Sequence, residues 1–575
     1  MTSLSDAESL EEPGRRCFPP CRTACPANVN VQAYVSLVSQ DRFKEALEIV
    51  RRSIPFPAVC GRVCFSPCED ACERNNVDAP VSIRLLKRLV SDAEYETSMS
   101  LTKEVVPKCH DEKVCIVGSG PAGMTAAHDL AEMGYPVTVY ESQPRIGGML
   151  RYCLPRYRLP EEVLERELEQ IVASGIEVVT GTKVGRDITF DELWECGYSA
   201  IFVAVGATNN RSLGVEGEDS RGIIQALEFL SDVRTGKLRK RDGRVAVVGG
   251  GDVAVDCARS AVRLGAEEVT IVYRRSRDQM PAHSKEVHEA ESEGVRFKFL
   301  SNPRRFISES GAVKAIECID MRLGEPDESG RQRPIPVEGS EHEFPVDAVI
   351  IAIGEVPDLS FLPAEVKVTP RNNILVDHVT MQTSLPGVFS GGDVVTGPLS
   401  VIDAIAAGKR AAMFIDLYLR EHDVSAWVEG EVEERSWIRE WDAVEKKPRQ
   451  EAVMLSPEAS RGGFEEVEKG LPRDVGIVEA YRCLHCGPCA ECLTEEGYCD
   501  LDVAEVDESK CVGCGVCVSV CPFDAISKDE SGIARVDEET CKGCGSCATS
   551  CPKKAIQMRA STDEALFERV ARQVV

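Results

Sequence analysis

Two stretches of the chain share one order of apolar and polar positions. Residues 113–141, KVCIVGSGPAGMTAAHDLAEMGYPVTVYE, open on the short apolar run VCIV, break into glycines, and return to an apolar run after a helical stretch. That order predicts a buried strand, a glycine turn, a helix and a second strand. Residues 244–275, RVAVVGGGDVAVDCARSAVRLGAEEVTIVYRR, repeat the order. Two other stretches carry apolar residues at helical spacing. FKEALEIVRR, 43–52, predicts an amphipathic helix, and STDEALFERVARQVV, 561–575, has the same spacing and is expected to cap the last domain rather than bind a membrane. No apolar run approaches bilayer-spanning length. The opening MTSLSDAESLEEPG is acidic and lacks the apolar core of a secretory signal, so a reducing cytoplasm is expected.

The glycine turns give these patterns their chemistry. Gly118, Gly120 and Gly123 form G-x-G-x-x-G, with Pro121 and Ala122 opening the helix. Such glycines allow a tight turn, close approach of backbone to a pyrophosphate, and close packing of helix on sheet. The helix N-terminus offers free N–H groups and a partial positive charge to phosphates. Glu141 ends the second strand, placed to accept hydrogen bonds from a ribose. In the second unit the turn is Gly249, Gly250, Gly251, Asp252 and then Ala254. Where an NAD site would carry an acid stand Arg274 and Arg275, with Arg277 behind them. A guanidinium fork there suits a 2′-phosphate, which predicts NADP(H), with NAD(H) less favoured. Two such units in series predict FAD first and nicotinamide second.

Twenty-six cysteines are the outlier in an otherwise ordinary composition. Six of them (Cys109, Cys115, Cys153, Cys196, Cys257, Cys318) are scattered and read as small buried hydrophobes. The rest cluster in 17–72, 483–499 and 511–551, which in a chain this long points to metal or iron–sulfur ligation. In the last cluster Cys511, Cys514, Cys517 and Cys521 recur, 30 residues on, as Cys541, Cys544, Cys547 and Cys551. Both copies read C-x2-C-x2-C-x3-C-P, the pattern of a bacterial two-cluster ferredoxin, in which the fourth cysteine serves the other cube. The expected sets are Cys511, Cys514, Cys517 and Cys551, and Cys541, Cys544, Cys547 and Cys521. Just upstream, Cys483, Cys486, Cys489, Cys492 and Cys499 suggest a further cluster, with structural zinc as the alternative.

Several connecting segments carry a family resemblance. TSLPGVFSGGD, 383–393, resembles the second FAD fingerprint of two-dinucleotide flavoproteins, in which the aspartate, here Asp393 after Gly392, holds the ribityl chain. IFVAVGAT (201–208, with Gly206) and AIGEVPD (352–358, with Gly354) resemble the crossovers that leave and re-enter the FAD domain. With ACPANVNVQAYV, PAVCGRVC, PVSIRLLKR, RIGGMLRYCLPRYRLP and YRRSRDQMPA, residues 15–425 resemble the small (beta) subunit of NADPH-dependent glutamate synthase. Relatives of that family are the large subunit of NADH-dependent ferredoxin:NADP oxidoreductase and the N-terminal part of dihydropyrimidine dehydrogenase. The resemblance implies a helical iron–sulfur domain packed on the FAD domain. It also implies that Gly147–Leu150, including Gly148 and Leu150, lies against the flavin, with Arg158 and Pro160 beyond. Two departures stand out. The head holds Cys17, Cys21, Cys25, Cys60, Cys64, Cys68 and Cys72, enough for one cluster and for two only with a substitute ligand. The position where some relatives supply that ligand is close to Lys87. The ferredoxin tail is the second departure, and the chain lacks the domains needed to make glutamate.

The expected fold is therefore multi-domain α/β. A helical iron–sulfur domain spans 1–109, and a split FAD domain spans 110–237 and 353–422. A nicotinamide domain is inserted at 238–352, followed by a solvated linker (423–478), the additional cysteine cluster (479–505) and an α+β ferredoxin domain (506–575). A net charge of −28 argues against nucleic acid and anionic membranes as partners. The expected function is an oxidoreductase moving electrons between NADPH, FAD and several [4Fe–4S] clusters, and on to a partner subunit or a ferredoxin-like carrier. The alternatives are the nicotinamide-binding subunit of a bifurcating complex, hydrogenase or transhydrogenase, and a non-catalytic electron wire.

Overall fold

The computed structural model describes residues 19–96, 106–327, 330–422, 444–486, 503–521, 523–538, 540–541 and 546–558. Both strand–turn–helix units form as the pattern predicts, each at the centre of a five-stranded parallel sheet. The first sheet runs Val388–Ser390, Tyr198–Val203, Lys113–Val117, Val137–Tyr140, Glu177–Val179. The second runs Ile223–Gln225, Ala348–Ile351, Arg244–Val248, Glu268–Tyr273, Arg296–Phe299. Their central strands are buried on both faces, which is why they read as continuous apolar runs. A short antiparallel ribbon, Asn209–Asn210 with Glu355–Val356, joins the two sheets where the chain leaves and returns.

That ribbon moves one expected boundary. Ile223–Gln225 and the helix Ala226–Arg234 belong to the second sheet, so the inserted domain begins well before residue 238. The edge strand is three residues long, too short for any alternation to announce it.

The head is helical. Val31–Ser39, Phe43–Arg51, Pro57–Val63 and Ile83–Glu96 share one core with the first sheet's covering helices. Glu167, fully buried on the helix Glu161–Val172, accepts the N–H groups of Ala58 and Val59 at 2.6 and 2.9 Å. It thus caps the head's helix Pro57–Val63 from the neighbouring domain.

Residues 444–486 are a packed strap, not the solvated linker expected for 423–478. Their helix Arg473–Ala480 lies on Val31–Ser39 and Ile83–Glu96. A Cβ at Gly476 would stand 2.1 Å from Leu89 Cδ2, so a larger residue there would require the Leu89 side chain to move. Glu479 and Arg482, 0% and 1% exposed, pair at 2.7 Å. Glu479 also accepts from Ser82 N and Gln450 N. The Arg482 guanidinium donates to the carbonyls of Ala79 and Pro80 and to Asp78. The charges were legible in sequence as polarity; their burial partners, some 400 positions away, were not.

Glu468 joins three parts of the molecule. It forks to Arg84 of the head at 2.7 and 2.8 Å and reaches Lys285 of the inserted domain at 2.5 Å. Burial works against its carboxylate, but Arg84 and Lys285 outweigh it and hold the pKa at about 2. A depressed carboxyl stabilises the fold above its ordinary pKa and loses that contribution as pH falls through the folded value. The depressed pKa of about 2 corresponds to about 3 kcal/mol of stability, fading below roughly pH 4.5. Glu468→Gln is expected to lower unfolding free energy by roughly 2–4 kcal/mol at pH 6 and much less near pH 3. Denaturant titrations of both chains at the two pH values check it; an equal loss at both would contradict it.

Candidate functional site

The first glycine loop presents an empty-sided cradle. Gly118 stands at φ +104°, and a Cβ there would lie 2.5 Å from Ala204 O. A Cβ at Gly123 would lie 2.0 Å from Gly118 O, so the helix is packed against its own turn. At Gly120, by contrast, a Cβ would meet nothing within 4 Å: the space lies on the side a phosphate would take. Gly120 begins the helix Pro121–Glu132 without any side-chain cap, leaving first-turn N–H groups of residues such as Ala122 for an anion. Gly148 crosses over Gly120, a Cβ at Gly148 coming within 2.8 Å of Gly120 Cα, and Leu150 is buried in the shared core.

Glu141 is buried at the loop's edge. It accepts the N–H and hydroxyl of Ser119 and, at 2.7 Å, the N–H of Gln143. Across the loop, Gly392 and Asp393 open the helix Asp393–Thr396. Burial lifts the Asp393 carboxyl to about 6, although Leu399 N donates to it. A desolvated carboxylate with spare lone pairs is a fit for a hydroxyl-bearing ligand. Gly206 and Gly354, both at positive φ, flank the crossover ribbon.

The second loop repeats the arrangement. A Cβ at Gly249 would run into Ala352 O and one at Gly250 into the Tyr273 ring, whereas a Cβ at Gly251 would meet nothing within 4 Å. The helix Asp252–Arg263, with Ala254 buried in its first turn, again starts without a side-chain cap. Asp252 accepts from His283 N at 3.0 Å. The arginines beyond the second strand divide. Arg275 is buried, paired with Asp327 at 2.7 Å and donating to Gln332 O. Arg274 is exposed, beside Arg331.

Arg158, expected beyond the flavin-facing loop, has other partners. It pairs with Asp256 at 2.8 Å and lies 3.5 Å from Glu286, both in the inserted domain. Tyr157 beside it donates to Asp256 and carries Arg263 over its ring at 3.9 Å. Arg158 clamps the two nucleotide domains together. The family resemblance places Arg158 beyond the flavin-facing loop; its partners in the structure are the two carboxylates of the inserted domain.

In the tail, Cys511, Cys514, Cys517 and Cys551 line one cavity, the crossed grouping expected from the repeat. Cys521, Cys541 and Cys547 sit in the same small core. Two short antiparallel pairs, Ala504–Val506 with Ile556–Met558 and Ile526–Lys528 with Ala534–Val536, frame the half-domains. The pseudo-symmetry extends to single bonds: Ala525 N donates to Cys521 Sγ and Ala555 N to Cys551 Sγ, both at 3.2 Å. Cys17, Cys489, Cys492, Cys499 and Cys544 lie outside the described residues, as do 561–575.

In the head the described thiols fall into two groups. Cys25, Cys60, Cys64 and Cys68 surround the buried ammonium of Lys87; burial opposes its charge, but the four sulfurs outweigh that and raise its pKa. Cys60 is fully buried on the helix that Glu167 caps. Cys21 is pushed well up, first by burial and then by Cys483, Cys68, Cys72 and Cys486. Burial, chiefly, lifts Cys483 and Cys486 each to about 12. None of the described cysteines is in a disulfide, and no three His, Cys, Asp or Glu side chains among the described residues converge on a single metal ion.

These cradles and thiol groups agree with what known proteins share with the chain. Residues 112–408 match the pyridine nucleotide-disulphide oxidoreductase model. Residues 2–99 match the 4Fe–4S domain II of dihydropyrimidine dehydrogenase, and residues 504–558 a 4Fe–4S dicluster domain. The NADP(+)-dependent formate dehydrogenase subunit beta of Moorella thermoacetica is 43% identical over 500 residues, 81% of this chain and 70% of that one. The NADPH-Fe(3+) oxidoreductase subunit beta of Geobacter sulfurreducens is 40% identical, covering 81% and 75%. The glutamate synthase [NADPH] small chain of Escherichia coli is 36% identical over 413 residues, 68% of this chain and 87% of that one. With more than half its length in one family model and both flanks in iron–sulfur models, the chain is a member of the pyridine nucleotide-disulphide oxidoreductase family carrying [4Fe–4S] domains at either end.

Proposed function

We propose that this chain is the NADPH-reactive subunit of a larger redox enzyme, carrying electrons from the second cradle to its ferredoxin tail. Bound there, a nicotinamide and a flavin would supply hydride and single-electron chemistry, and iron–sulfur clusters on the cysteine groups would supply electron conduction. The first cradle would hold FAD, through the Gly120 opening, Glu141 and Asp393. The second would hold NADP(H), through the Gly251 opening and Arg274. Arg275 is committed to Asp327 and serves the fold of that edge. The relatives' names as beta subunits support a partner subunit as the destination. Among the described residues no helix is long and apolar enough to cross a membrane.

The observation that carries this reading is continuity. The Cys60 helix is seated on Glu167 of the first nucleotide domain. At the head's other side Arg42 donates to Val520 O, next to Cys521, and the His485 ring meets Phe523 edge-on at 6.3 Å. The head thus bridges flavin domain and tail. A non-catalytic wire would need no open cradles, and this chain keeps two.

Lys87 gives the head a charge that favours the reduced, more negative state of a cluster among Cys25, Cys60, Cys64 and Cys68. Lys87→Met is expected to lower that cluster's reduction potential by on the order of 100 mV, read by EPR-monitored redox titration. A potential unchanged with the cluster retained would contradict it.

Anaerobic addition of NADPH is expected to bleach flavin and cluster absorbance, and NADH to do so far more slowly. Arg274→Ala should weaken NADPH by roughly 10- to 100-fold in KM and leave NADH unchanged. No bleaching with flavin bound would remove the catalytic reading; NADH as fast as NADPH would remove the assignment of Arg274.

A further inference from the structure

The four thiols that act on Lys87 would supply the ligands of one cube, which leaves the head two described cysteines, Cys21 and Cys72. A [4Fe–4S] cluster takes four thiolates, so these two cannot hold one by themselves. The strap brings the missing pair. Arg74, two residues beyond Cys72, donates to the carbonyl of Arg482 at 2.8 Å, across a sequence separation of 408. That carbonyl belongs to the peptide whose nitrogen is that of Cys483. Arg482 itself is held by Asp78, Ala79 and Pro80, so the start of the Cys483–x2–Cys486 segment is fixed against the loop that follows Cys72. Cys21, Cys72 and Cys483 pack against the same core. The helix Pro20–Thr23, which leads with Cys21 in its second position, lies on Pro67–Asp70. Cys21 is within electrostatic reach of Cys72, Cys483 and Cys486, and Cys486 of Cys72 and Cys483.

We propose that Cys21 and Cys72 of the head and Cys483 and Cys486 of the strap together hold one [4Fe–4S] cluster, closed across the junction of the two segments. The inference rests on the iron–sulfur reading of the head given above. It replaces a separate cluster within 483–499 as the role of Cys483 and Cys486, and it supplies the head's substitute ligands from the far end of the chain. The C-x2-C spacing wraps two corners of a cube, as it does in the tail. The site also occupies the relay position: His485, inside the pair, touches Phe523 of the tail.

The test uses the full chain, purified anaerobically with its clusters, and three variants: Cys72→Ala, Cys483→Ala with Cys486→Ala, and all three together. Iron and acid-labile sulfide are measured per FAD, with EPR of the dithionite-reduced protein. One shared cluster means that each variant loses the same component and about four irons, and that the triple variant loses no more than either. Losses that add in the triple variant, an undiminished iron content in the Cys483/Cys486 variant, or zinc in place of the lost iron would overturn the proposal. The single Cys486→Ala change, one corner only and remote from Arg482, guards against misfolding: an unaltered spectrum there also overturns it. A wild-type chain whose iron is confined to the tail would instead overturn the iron–sulfur reading of the head.

Discussion

The buried pair of Glu479 and Arg482 is the constraint on which the rest of the assembly hangs. Two opposite charges taken out of water are stable only if every lone pair and N–H finds a partner. Here the partners are backbone groups of residues 79–82 and 447–450 and the Asp78 carboxylate, so the pair can be satisfied only when strap and head are docked. Removing either partner would leave an uncompensated buried charge, worth several kcal/mol. That makes docking all-or-none, which a cofactor relay needs: a thiol pair that drifted by a few ångströms would cease to be part of any site.

A second set of charges ties the nucleotide domains to each other and to the strap. Arg158 with Asp256, and Arg84 and Lys285 with Glu468, are ion pairs between domains, so besides any stability they add they fix how the domains are oriented. They matter because hydride transfer between cofactors on separate domains depends on alignment. The helix cap at Glu167 extends the same logic to the head. Its carboxyl, lifted to about 7 by burial, is retained at the seam between the first nucleotide domain and the helix bearing Cys60.

What the sequence disclosed was local chemistry. The glycine turns announced both parallel sheets because strand, turn and helix are read within thirty residues of each other. The tail announced itself by repeating at a fixed offset. What stayed hidden was each feature whose partner is distant. Ile223–Gln225 is an edge strand recognisable only by the strand it pairs with. Arg275 and Arg274 are adjacent and alike in sequence, yet one is spent on Asp327 and the other faces solvent. The pairing of Arg158 with Asp256 of the inserted domain, 98 positions away, could not be read from its neighbours in the chain. Lys87 looked like an obstacle to ligation; in the fold its ammonium sits among four sulfurs. The head's count of cysteines fell short because two thiols suited to it are encoded after the whole flavin domain.

The account's central claim is that one uninterrupted relay runs through this chain from NADPH to the ferredoxin tail. Rapid-freeze EPR after anaerobic mixing with NADPH tests it most directly. The account predicts that flavin reduction comes first, that head clusters follow, and that the tail's two clusters are reduced last within the same turnover. Tail clusters that dithionite reduces but NADPH never does, in a chain with its flavin fully reduced, would contradict it.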